Sequence, residues 1–384
     1  LSDFAHRLSR RVPQVLSIAV VLCLQTSQYA FAQSPAETPW PRDRVDLPSQ
    51  TTVIPADLPP PPAAQPTDNS PAALTSGLAS PIGPAAGLLD GRVGQAVPRL
   101  TYSVLGIPLQ GVTGQSTRLG LVREDLTIGT PIWQCKTDEF TFNAHVHNEL
   151  FQTDAILPTT GREFPETLWD VRVGTTYRHL FPNDWVTGAT ISVGSASDKP
   201  FHSVNEMTFG VNAFLRIPQG EHNAWLLSLS YSPTSQLSYP IPMAAFLWQP
   251  NDWFRAQIGL PFSIVYRPTE DLTIDLSYML LTNVRAQAAY RLTPSLRLHA
   301  GYDWSNEGFY LADRADDRFR FFSYEQRVSA GAQYFLTPRM SFDLSAGYVF
   351  SRFFFEGRQL SDSNTNRVDV GDGYFIALRF LSRW

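Results

Sequence analysis

Apolar and polar residues alternate along this chain from about Pro98 to Trp384, one segment after another. Trp169, Val171, Val173, Tyr177 and Phe181 share one face, opposite Asp170, Arg172, Gly174, Thr176 and Arg178. Met207, Phe209, Val211, Ala213, Leu215 and Ile217 oppose Glu206, Thr208, Gly210, Asn212 and Arg216. The same two-residue period recurs through Leu272–Leu280, Val284–Leu292, Leu296–Trp304, Val328–Leu336 and Phe342–Phe350. The last segment sets Tyr374, Ile376, Leu378, Phe380 and the terminal Trp384 against Phe375, Ala377, Arg379, Leu381 and Arg383. Alternation of this kind predicts β-strands.

Period alone does not say which face is buried, because a soluble sandwich alternates too. Length decides more. These segments run to about ten residues, whereas globular strands average roughly five or six and a tilted transmembrane strand needs about nine to eleven. The polar face carries charges in mid-segment together with many glycines, as a hydrated and crowded lumen would. Arg172, Arg178, Arg216, Arg285, Arg291, Arg297, Arg327 and Arg379 are expected to line it, interleaved with Asp170, Glu206, Asp275, Asp303, Glu325 and Asp343.

The connectors support the same reading. Phe181-Pro182-Asn183-Asp184-Trp185 returns almost unchanged as Gln249-Pro250-Asn251-Asp252-Trp253, and Pro with Asn or Asp reverses a chain tightly. Phe181, Trp185, Trp248, Trp253, Tyr290 and Tyr334 flank such turns and predict one aromatic girdle. Longer polar connectors alternate with the short ones, near 153–166, 196–205, 306–318 and 357–367. A sheet in hydrocarbon must close on itself, because every backbone N–H and C=O needs a partner there. The expected fold is therefore all-β, an antiparallel transmembrane β-barrel of 12–14 strands over residues 98–384. Arg99–Gly106 and the proline-interrupted stretch Leu237–Phe262 are the ambiguous segments.

Composition adds the N-terminal part. His6, Arg7, Arg10 and Arg11, then apolar Val15–Leu24, then Ala30-Phe31-Ala32 predict a signal peptide over 1–32. About half of the 30 prolines fall in 33–97, a Pro- and Ala-rich stretch without apolar periodicity, which predicts a disordered linker. Cleavage would leave Cys135 alone, so no intrachain disulfide is expected. A net charge of −5 offers no footprint for nucleic acid.

The terminal strand ending in Trp384, together with Gly259-Leu260-Pro261-Phe262-Ser263-Ile264-Val265-Tyr266-Arg267-Pro268, Val284-Arg285-Ala286 and Tyr290, resembles uncharacterised bacterial outer-membrane β-barrel proteins that carry a domain of unknown function. The resemblance covers about Pro98 to Trp384. It implies an outer-membrane location, lipid contact, and recognition of the last strand (Tyr374, Ile376, Leu378, Phe380, Trp384) by the barrel-assembly machinery. It supplies no catalytic residue and no cofactor.

Candidate chemistry is sparse. His145, His147 and Glu149 point to one side of a strand, but Glu149 lies about 13 Å from His145 at roughly 3.3 Å per residue, too far to share a first coordination shell. Lumen-lining polar residues are the expectation there, and no metal site is assigned. Asp362-Ser363-Asn364-Thr365-Asn366 imitates a calcium loop but has Arg367 where Gly is needed and Gly373 where Glu is needed. No Gly-x-Ser-x-Gly elbow occurs, and no enzymatic site is assigned. Mixed charge signs favour a structural barrel with a largely filled lumen over a passive porin-like channel for small solutes; a soluble secreted β-protein is the third reading.

Overall fold

The computed structural model describes residues 93–384 apart from 236, 238 and 281. The expected signal peptide and all of the expected linker except 93–97 lie outside the described residues. Seventeen strands form one antiparallel sheet: β1 (Arg99–Gly111), β2 (Arg118–Gln134), β3 (Asp138–Thr153), β4 (Thr167–Leu180), β5 (Val186–Ser197), β6 (Met207–Gln219), β7 (Asn223–Tyr231), β8 (Ile241–Asn251), β9 (Phe254–Gly259), β10 (Phe262–Tyr266), β11 (Leu272–Met279), β12 (Asn283–Thr293), β13 (Leu296–Phe309), β14 (Arg320–Thr337), β15 (Met340–Gly357), β16 (Val368–Val370) and β17 (Gly373–Arg383). β16 and β17 both pair with β15, at opposite ends of it, so together they make one stave. The barrel therefore has sixteen staves. β17 closes the ring on β1, in register from Arg99↔Arg383 to Gly106↔Ile376.

This corrects the expected 12–14 strands. The ambiguous stretch Arg99–Gly106 belongs to a full stave, and the proline-rich region holds β8 and β9 and runs into the start of β10. Two of these, β9 and β10, are only 6 and 5 residues long, too short to show a clear period. Pro242 and Pro250 sit within β8, and Pro250 lies where the β8–β9 register shifts, a place where a missing N–H is tolerated.

The alternation produces an inside-out polarity. Val173, Ile191, Val193, Phe209, Leu227, Ile274, Leu298, Val328, Leu344 and Ile376 project outward and are exposed. Arg123, Glu149, Arg178, Glu325 and Arg327 are buried. Short connections (β2–β3, β4–β5, β6–β7, β8–β9, β10–β11, β12–β13, β14–β15) all lie at one end, and Trp384 N–H donates to the Pro98 carbonyl there, at 3.2 Å. Phe181, Trp185, Trp248, Trp253, Tyr290 and Tyr334 are exposed around this turn side. Asn251 caps its turn through Oδ1, which accepts from the Trp253 and Phe254 N–H groups.

Leu276 shares the outward face with Ala286 and Tyr302. Leu276→Arg should lower folding stability in lipid vesicles by about 2–4 kcal/mol, whereas Ser277→Asn on the inward face should change it by less than about 1 kcal/mol. Equal losses in a urea titration would show that Leu276 does not face lipid while Ser277 faces the lumen.

Candidate functional site

The lumen is where side chains with chemistry converge. β2 carries Arg123, Glu124 and Asp125 in sequence, and alternation cannot put all three inside. Arg123 and Asp125 point inward; Glu124 takes the other face and accepts a hydrogen bond from the Tyr102 hydroxyl at 3.0 Å. The Arg123 guanidinium donates through Nε to Glu149 of β3 at 2.7 Å and through Nη1 to Glu325 of β14 at 2.5 Å. Arg327 lies 3.3 Å from the same Glu325 carboxylate. Three staves lie between β2 and β14 through the closing seam, so this network ties distant parts of the wall together.

Beside it, His147 Nδ1 lies 2.7 Å from Asp125 Oδ1, and His147 Nε2 lies 3.3 Å from Glu307 of β13 and 3.7 Å from Glu149. His145 does not join this group; its Nδ1 faces the Thr127 hydroxyl at 3.2 Å. Arg172 pairs with Asp170, its neighbour two residues along the same face. Arg178 pairs with Glu139 at 3.4 Å. A second polar group gathers nearer the turn side: His299 Nε2 lies 2.7 Å from Asp343, and Arg285 lies 3.8 Å from Asp303. These residues, with Asp125, Arg327, Arg379, Ser103 and Gln287, surround a void of about 40 Å³, room for a few water molecules.

The remaining expected residues spread out. Asp275 and Arg297 sit on the inward rows of β11 and β13, with the Arg297 guanidinium 5.4 Å over the Phe335 ring. Arg216 is partly buried on β6, level with Val186 and Leu226. Arg291 lies at the turn end, 3.8 Å from Asp271 and substantially exposed. Glu206 is a correction: it does not line the barrel wall. It ends a single 3-10 turn, Val204–Glu206, ahead of β6, and its carboxylate accepts from the Ser203 N–H at 2.6 Å. Burial would raise its pKa, but the hydrogen bonds from Ser203 and the nearby Arg314 outweigh that and hold the carboxyl below its usual range. The signal that would have placed it is the capping box, Ser203 three residues ahead of Glu206.

Both mouths are furnished. At the loop side, Val112, Leu119, Ala155, Leu157, Phe164, Leu168, Ala196, Phe309, Leu311, Phe321, Phe354, Val368 and Val370 form one buried apolar cluster. The connector after β13 reaches across to β5, where the Tyr310 N–H donates to the Ala196 carbonyl at 2.8 Å. The loops lock together above: Asn366 Oδ1 accepts from the Thr159 and Thr160 N–H groups, and Arg162 bonds Asp313 and Glu356. Asn366 and Asp362 are thus occupied in loop contacts rather than arranged as a calcium loop. Within the connector run Asp313–Arg318 the Arg314 side chain is buried and donates to the Leu311 and Asn205 carbonyls.

At the turn side, Val93 joins Val186, Phe214, Leu226 and Ala245 in an inward-facing apolar cluster, with Leu180 packed against it. Gly94 follows with φ 78° and donates its N–H to Glu139. A Cβ there would overlap the Cys135 carbonyl oxygen, so only glycine fits. Residues 93–98 therefore form a strap along the inner rim, from β1 past the β2–β3 turn to β4–β8.

Fold and site together define a closed β-barrel with an apolar exterior and a charged interior. No family model matches the chain, and no curated protein matches it. Among solved structures it is similar to an outer membrane channel from Pseudomonas putida F1 (11% identity, 77% of this chain and 98% of that one, TM-score 0.34). It is likewise similar to the Pseudomonas putida toluene transporter TodX (9% identity, 78% and 93%, TM-score 0.41). The translocator domain of the autotransporter NalP from Neisseria meningitidis gives 10% identity, 78% and 92%, and a TM-score of 0.29.

Removing Arg123 leaves Glu149 and Glu325 buried without their main partner. Arg123→Met should destabilise the folded barrel by about 3–5 kcal/mol, read as the midpoint shift in urea unfolding from lipid vesicles. A loss under about 1 kcal/mol would show the network to be hydrated and dispensable.

Proposed function

We propose that this chain is a bacterial outer-membrane barrel with a filled, closed lumen, acting as an envelope scaffold rather than a constitutive pore. Its apolar outer face and turn-side aromatic girdle suit contact with outer-membrane lipid, and the turn side would face the periplasm. Tyr374, Ile376, Leu378, Phe380 and Trp384 on the closing strand would be the signal read by the barrel-assembly machinery. The observation that carries the closed reading is the thirteen-residue apolar cluster under the loops, which seals one mouth with phenylalanines and aliphatic side chains. Ion pairs bridging the wall fill the space below it.

A second reading is a gated conduit for small solutes, with the lumenal arginines and acids as its selective surface. It is favoured by the strap at the turn-side rim, which hangs on one glycine and one valine and could be released. Planar-bilayer recording separates the two. The scaffold reading expects no stable unitary conductance from the wild type, nor from Gly94→Ala, because the loop-side seal remains. Steady single-channel steps from Gly94→Ala alone would support gating. Steps of the same kind from the wild type would end the closed-lumen reading.

A further inference from the structure

Among the described residues, three metal-ligating side chains meet inside the barrel. His147, Glu149 and Glu307 each place one donor atom within 4.8 Å of the others, on β3 and β13. His147 is 2% exposed and Glu149 is fully buried. Neither His147 Nε2 nor Glu149 Oε2 has a hydrogen-bond partner, so two buried polar atoms are left unanswered at the same point. Such orphans are rare in folded proteins and call for a water, a proton or an ion.

The chemistry favours an ion. Asp125 sits 2.7 Å from His147 Nδ1, and a carboxylate on that nitrogen keeps the ring proton there. The Nε2 lone pair is thereby turned toward two carboxylates, a repulsive arrangement unless positive charge lies between them. The spacing fits. A tetrahedral ion held about 2.0–2.2 Å from its donors separates them by roughly 3.3–3.6 Å; His147 Nε2 lies 3.3 Å from Glu307 Oε2, and the Glu149 carboxylate lies just beyond that range, 3.7 Å away through Oε1, so a small shift of its free oxygen completes the set. Arg123 holds the Glu149 carboxylate through Oε1 and leaves Oε2 free. Charge points the same way. Asp125, Glu149, Glu307 and Glu325 face Arg123, Arg327 and Arg352 in this part of the lumen, while Asp170 and Arg172 offset one another. That leaves an excess of one carboxylate when His147 is neutral.

We propose that His147, Glu149 and Glu307 bind one divalent cation of the zinc type, with Asp125 orienting the histidine. His147 supplies Nε2, the two glutamates supply one oxygen each, and a fourth position is left for water. The ion would pin β13 to β3 across the interior, just beneath the apolar seal, where Phe309 stacks 5.9 Å from the His147 ring. The site does not depend on whether the lumen conducts.

The test uses untagged full-length protein refolded into micelles with zinc and then desalted. Wild type should retain about one zinc per chain, and His145→Gln should retain the same. His147→Gln and Glu307→Gln should each weaken zinc binding at least tenfold in competition with a chromophoric chelator. Retention of less than a tenth of an equivalent by the wild type would overturn the proposal and leave a proton on Nε2. So would undiminished affinity in both variants. Should neither variant give the heat-modifiable band of a folded barrel, X-ray absorption on zinc-loaded wild type decides. One nitrogen and otherwise oxygen ligands support the site; an all-oxygen shell, or one with two or more nitrogens, overturns it.

Discussion

Closure of the hydrogen-bond ladder is the constraint on which everything else depends. A sheet with an apolar outer face presents its edges to hydrocarbon unless the last strand finds the first, and there no water can satisfy a free N–H or C=O. Here β17 meets β1 over eight registered pairs and meets β15 on its other side, so the start of β1 and the end of β17 come to one rim. That pairing fixes the even number of staves. It also sends alternate connections to opposite ends, so that the long connectors after β3, β5, β13 and β15 gather at one of them.

Once the ring is closed, the pleat turns every second side chain inward, and the interior must accommodate what the outside cannot. The charges there are tolerable because they answer one another: Arg123 with Glu149 and Glu325, Arg178 with Glu139, Arg172 with Asp170. A buried ion pair adds little net stability over an apolar pair, but removing one partner is costly. The lumen is thus a set of mutual obligations rather than a lining of independent residues. The apolar clusters at its two ends keep water from diluting them.

Much of this was readable in the sequence, and the reason is periodicity. Two-residue alternation over long segments identified β4, β6, β11 to β15 and β17, and Pro-Asn-Asp turns with flanking tryptophans located one rim. What escaped was what period does not encode. β9 and β10 are too short to show a pattern, which is why the stave count came out low. Glu206 continued the alternation of β6 on paper but belongs to the capping box of a loop turn. Val93, at the end of a stretch expected to be linker, is buried in the barrel.

The candidate site shows the same limit more sharply. His145, His147 and Glu149 were visible as neighbours on one face, and strand geometry rightly separated His145 from Glu149. Yet the arithmetic of a single strand cannot supply Glu307, which lies 160 residues beyond His147 and arrives from β13. Nor can it distinguish the two histidines. Asp125 and Thr127 do that, being the residues of β2 paired directly with His147 and His145. A carboxylate faces one ring and a hydroxyl the other, so only His147 has the partner that directs a lone pair toward Glu149 and Glu307. Register between neighbouring strands, more than the residues of either one, therefore decides where chemistry can occur inside this barrel.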